Sequence, residues 1–147
     1  MMTMRVLLTV LAAIQGSATV LIDLNRTHAT NPIWPGHSRF HVVWQSLNRF
    51  LCAIVEILVV WWPGAYVPER FYLAAILTAI PSLGFVFAPA FRKAYGGMLS
   101  DPNGIPPFRF RVSGRCIEVD GNAAAVYCAL AFLAVLVALF HRVDRSI

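Results

Sequence analysis

Apolar residues along this chain gather into four long runs, at about residues 4–22, 40–62, 71–91 and 123–140, with polar connectors of unequal length between them. Each run is close to the roughly 20 residues that carry an α-helix across a bilayer. Lipid offers no partner for backbone N–H and C=O groups, so helices are the expected form. The pattern predicts an all-α fold, an integral membrane four-helix bundle, forming one transmembrane domain over residues 1–147. The first run has Arg5 before its apolar stretch and small residues at Gly16-Ser17-Ala18, as a cleaved leader would. Its apolar character continues through Val20-Leu21-Ile22 and three more runs follow, so it reads as a retained span.

The connectors divide into one short and two long. Residues 63–70 hold Pro63-Gly64 and Pro68, ordinary turn punctuation. The first connector reads DLNRTHATNPIWPGHSRFH over residues 23–41, and the third reads RKAYGGMLSDPNGIPPFRFRVSGRCIEVDGN over residues 92–122. Four crossings place these two long polar loops on the same side of the membrane. In the third, Asp101-Pro102-Asn103-Gly104 is a turn sequence, and Pro106-Pro107 stiffens the chain leading out of it. The alternation Phe108-Arg109-Phe110-Arg111-Val112 predicts a short strand or an amphipathic strip at the headgroups. Asp120 or Asn122 is placed to cap the fourth helix.

Composition points the same way. Of 147 residues, 59% are hydrophobic and 13% charged, against about 25% charged in soluble domains. The net charge of +5 comes from residues that flank the apolar runs. Arg26, Arg39, Arg92, Lys93, Arg109, Arg111 and Arg115 lie at the two long connectors, where anionic headgroups account for them. The bilayer is thus the expected partner, and no zinc-finger, helix-turn-helix or RNP pattern argues for nucleic acid. The basic bias favours the long connectors on the cytoplasmic side of the cell membrane. Cys52, Cys116 and Cys128 form no C-x-x-C pair, which argues against a disulfide framework and a cysteine zinc site.

Candidate chemistry concentrates on the second run and the first connector. His41, Gln45, Asn48, Cys52 and Glu56 recur at helical spacing and form one predicted face, with His37 a turn before them and Arg49 at the edge. Ionisable groups at hydrocarbon depth cost at least about 2.5 kcal/mol each on insertion scales, so they pair, face water or serve function. Arg49 and Glu56 are two turns apart, and each is expected to find its partner on another helix. Gln15, Thr19 and Asp23 form a matching face on the first helix, beside Ala12 and Gly16. The two faces are expected to pack together around a polar pocket, with Thr78, Ser82 and Gly84 as a third wall where Pro81 breaks the third helix locally.

That pocket suits acid/base chemistry on a lipophilic small molecule, isomerase- or hydratase-like, with no cofactor required. His41, His37 and Glu56 are the proton-transfer candidates and Asp23 orients a histidine. Arg49 stabilises developing negative charge. Asn48, Gln45, His28, Asp101 and Asn103 are the substrate contacts. Two other readings compete. His37-x-x-x-His41 has the spacing to share a metal ion, zinc or non-haem iron, with His28, Asp23 or Asp101 completing the set, although the glutamate of H-E-x-x-H is missing. A ligand-binding or transport subunit would use the polar row as an ion path and, with so few spans, would need a homo-oligomer. The plainer roles are loop structuring for the histidines and an interhelical hydrogen bond for Glu56. No G-x-S-x-G, P-loop, dinucleotide fingerprint or D-D-x-x-D is present.

The four-span layout, with Asp23, His41 and Glu56 on its first two helices, resembles the EXPERA group, which includes sterol isomerases and sigma-2-receptor-like proteins. The resemblance implies a cavity for sterol-like or other lipophilic molecules. The segments T-H-A-T-N-P-I-W-P-G-H-S-R-F-H and D-P-N-G-I-P-P look more like a small bacterial four-helix membrane family, which brings no chemistry of its own.

Overall fold

The computed structural model describes residues 1–100 and 106–146. The element order is α1 (Met2–Asp23), α2 (Gly36–Trp61), α3 (Val67–Tyr95), β1 (Phe108–Val112), β2 (Arg115–Val119) and α4 (Gly121–Asp144). All four helices are long and apolar enough to span a membrane. They outrun the apolar segments because helical hydrogen bonding continues into the polar flanks, where hydropathy gives no signal. α2 starts at Gly36, directly after Pro35. α3 has proline in its first turn, where a missing N–H costs nothing. It ends at Gly96, which takes the left-handed conformation with φ 66°. The expected break at Pro81 does not occur, and α3 runs on through both Pro81 and Pro89. A proline removes one helical hydrogen bond, a loss that packed membrane helices absorb.

α1 and α2 form an antiparallel pair joined along their whole length. At the short-connector end, Arg5 Nη2 donates to the Val60 carbonyl at 2.6 Å. The Arg5 guanidinium lies 4.5 Å from the Trp61 ring centre, and Trp61 Nε1 donates to Thr9 Oγ1 at 2.7 Å. Near the middle Gly16 lets the two backbones approach, since a Cβ there would lie 2.6 Å from Ala53 Cβ.

The apolar core sits at the short-connector end. Leu8, Val60, Phe71, Ala74, Leu136 and Phe140 are all buried there. The Phe71 and Phe140 rings stack at 3.7 Å with 7° between planes. Among the described residues, α3 buries none after Ser82 and α4 none before Leu133. The bundle is therefore tight at one end and loosely packed in the long-connector half.

The third connector forms a hairpin. β1 and β2 pair antiparallel, with Phe108 opposite Val119 and Phe110 opposite Ile117. Ser113 and Gly114 make the turn with φ of 49° and 78°, the double left-handed geometry that fits the strand twist. Asp120 Oδ1 then accepts from the Ala123 N–H at 2.9 Å and caps α4.

Candidate functional site

The buried face of α2 is Ser46, Arg49, Ala53, Glu56 and Val60. Gln45, Asn48 and Cys52 are exposed on the outside of the bundle. The expected face is thus turned by about one residue, roughly 100° of helix rotation. Charge and close packing decide it. Arg49 and Glu56 cost more in lipid than carboxamides do, so they claim the interior. Small Ser46 and Ala53 let α1 come near.

Arg49 and Glu56 also pair directly, contrary to expectation. Arg49 Nη1 donates to Glu56 Oε1 at 2.5 Å and Nη2 to Oε2 at 3.3 Å. Seven residues correspond to a rise of about 10.5 Å. The Glu56 side chain leaves its backbone toward the helix N-terminus, and the long Arg49 stem covers the rest. Partners on other helices are present as well. Gln15 Oε1 accepts from Arg49 Nη2 at 3.0 Å. The Thr78 hydroxyl lies 2.9 Å from Glu56 Oε2. The pair is 7% and 1% exposed, and each charged group is met by the other and by a neutral polar group. Of the groups expected to line a cavity between α1 and α2, Gln15, Arg49 and Glu56 instead bond one another.

A second cluster lies where α1 meets the first connector. Asn25 caps the end of α1, its Nδ2 donating to the Ile22 carbonyl at 2.8 Å. Its Oδ1 accepts from the Thr27 N–H at 2.8 Å and the Thr27 hydroxyl at 2.7 Å. The Thr27 oxygen lies 2.8 Å from His28 Nδ1. The Thr27 hydroxyl thus links the Asn25 carboxamide to the His28 ring. His28 is held by Nδ1, and Nε2 takes no part in this chain of bonds.

Asp23 stands on the other side of this histidine. Its Oδ1 is 4.0 Å from His28 Nδ1, and its Oδ2 accepts from Ser46 Oγ at 3.1 Å. The histidine that Asp23 meets is thus His28, while His37 and His41 lie elsewhere. Fully buried Asn31 holds the connector in shape. Its Nδ2 donates to the Thr27 carbonyl at 3.1 Å and its Oδ1 accepts from the Ile33 N–H at 3.2 Å. The His28 ring meets Trp34 edge-on at 5.4 Å.

His37 and His41 bond each other, Nε2 to Nε2 at 3.1 Å, on the exposed side of α2. Among the described residues no three His, Cys, Asp or Glu gather into a group that could hold a metal ion. Asp101 and Asn103 lie outside the described residues. A hollow of about 190 Å³ on α3, lined by Phe85, Pro89, Arg92, Tyr95 and Met98, contains none of the site residues expected from sequence. Thr27 and Ser46 are the participants that sequence reasoning passed over. The signal for Thr27 is its place two residues after Asn25, where an Asx side chain bonds the following backbone. Ser46 sits at the heptad-like spacing of Arg49, Ala53 and Glu56.

Comparison of the chain with known protein families, curated proteins and solved structures finds no match.

Proposed function

We propose that this protein takes up a lipophilic small molecule in the loosely packed long-connector half of its bundle and moves a proton on it, in isomerase- or hydratase-like chemistry. The observation that carries the reading is the chain Asn25–Thr27–His28, which holds the imidazole by Nδ1 and leaves Nε2 outside the chain of bonds, as the nitrogen to accept a proton. His28 is the general base. Asp23, at 4.0 Å, supplies the negative charge that faces the ring when it is protonated, and Ser46 holds that carboxylate in place. The Arg49–Glu56 pair acts at one remove, positioning α2 against Gln15 of α1 and Thr78 of α3. Proton transfer of this kind needs no cofactor, and a positioned base contributes roughly 10²–10⁴-fold. The apolar walls of the open half support a lipophilic substrate, as the EXPERA resemblance implies.

The test is proton exchange. Protein in lipid nanodiscs, transferred to D₂O, is incubated with a panel of sterols, enones and other apolar compounds, and the mass gain of each is followed. The expected result is deuterium uptake into at least one compound, slowed at least a hundredfold in His28→Gln and less in Thr27→Val. Binding of a compound with no exchange would make the protein a ligand carrier instead. Full exchange in His28→Gln would remove His28 from the chemistry.

A further inference from the structure

The exposed side of α2 carries a polar row at membrane depth. His37, His41, Gln45, Asn48 and Cys52 succeed one another at helical spacing on the outside of the bundle. They span about 22 Å along the axis. Asn48 lies eight residues in from Phe40, where the apolar run begins, about 12 Å into a hydrocarbon layer of about 30 Å. Among the described residues Asn48 Oδ1 meets only the Cys52 thiol, at 3.9 Å. Gln45 and the Asn48 amide nitrogen have no hydrogen-bond partner among the described residues. Lipid tails supply no such partner at the depth of Asn48. Polar side chains on a membrane helix surface find their partners on another helix.

We infer that this face binds a second copy of the same chain, forming a parallel homodimer through α2. The row contains no carboxylate, lysine or arginine, so two copies meet without like-charge repulsion. Each carboxamide carries both a donor and an acceptor and can pair with its own equivalent. Copies inserted with one topology present equal residues at equal depth. A two-fold axis along the membrane normal therefore sets Gln45, Asn48 and Cys52 each against its counterpart. Exposed Trp44, Leu51 and Val55 flank the row and supply apolar packing beside it. The His37–His41 pairs of the two copies meet at the membrane face, while the His28 cluster, on the α1 side, stays outside the contact.

Cys52 reports on this directly. With Cys116→Ser and Cys128→Ser removing the other thiols, membranes are oxidised with copper phenanthroline and run on non-reducing gels. A disulfide requires Cα atoms within about 7 Å, so the expected product is a Cys52-linked dimer that persists when the membranes are diluted with added lipid. Moving the thiol about 200° round the helix, with Cys52→Ser and Ile54→Cys, abolishes the product. A Gln45→Leu/Asn48→Leu variant separates the alternatives without relying on folding defects. If the face meets lipid, leucine suits it better and nothing is lost. If it meets a second copy, cross-linking falls at least tenfold, and counting of photobleaching steps in liposomes shifts from two to one. Single-step bleaching of the unmodified chain, or a Cys52 cross-link only to some other protein, would overturn the inference.

Discussion

Replacing Glu56 by leucine leaves the Arg49 guanidinium in the middle of the bundle with Gln15 as its remaining partner among the described residues. Arg49 is 7% exposed and Glu56 1%, so solvent cannot take over the lost contact. Breaking a buried pair from one side costs about 3–5 kcal/mol, because the remaining charge is uncompensated. Arg49→Leu should cost less than Glu56→Leu. Glu56 left behind keeps the Thr78 hydroxyl beside it, whereas a guanidinium cannot shed its charge. The double variant Arg49→Leu/Glu56→Leu removes both charges and leaves two neutral groups to re-pair. Thr78 keeps its bond to the Ala74 carbonyl, 2.9 Å away, and Gln15 loses one partner, worth about 1 kcal/mol. The double should therefore lie within about 2 kcal/mol of the unmodified chain. Reversible unfolding in bicelles, on all four members of the cycle, gives the coupling energy. A double variant whose loss equals the sum of the two single losses, with coupling under about 1 kcal/mol, would refute the pairing as the source of the stability.

The packing sets two further outcomes. Gly16→Ala inserts a methyl 2.6 Å from Ala53 Cβ and should destabilise by about 1–3 kcal/mol through overpacking; Ala53→Gly in the same chain should restore most of it, as read by thermal unfolding in detergent. Asp120→Ala removes the acceptor for the Ala123 N–H and should cost about 1 kcal/mol, seen as faster amide exchange in the first turn of α4 with the rest of that helix unchanged.

The four helices were legible because a bilayer imposes its thickness on sequence as runs of apolar residues. Their ends were not, since Gly36–Arg39 and Arg92–Tyr95 are polar yet helical, and hydropathy is blind to a helix that continues into water. β2 was missed because Arg115-Cys116-Ile117-Glu118-Val119 carries only a weak alternation; the usable signal was Ser113-Gly114, a two-residue turn after a segment already read as a strand. On α2 the polar residues were found but the wrong set was turned inward. In water, polarity marks the outside of a bundle, and in lipid it is tempting to invert that rule. The actual order reflects cost: Arg49 and Glu56 take the interior, and Gln45 and Asn48 are left outside. Which histidine Asp23 meets was left open by the sequence, because proximity to His28 depends on how Asn25 and Asn31 fold the connector.

Arg49 and Glu56 belong to one helix, and this bears on how the protein is made. Spans leave the ribosome one after another, and a segment with a bare arginine or glutamate is resisted by the membrane until a later span arrives to neutralise it. Here both members of the pair emerge within two turns of each other. α2 can close the pair on its own, and its apolar run 40–62 can enter as an electrically neutral segment, in whatever order its neighbours arrive. Gln15 and Thr78 then have only to find a neutral dipole, so the last steps of assembly join helices without having to rescue a charge.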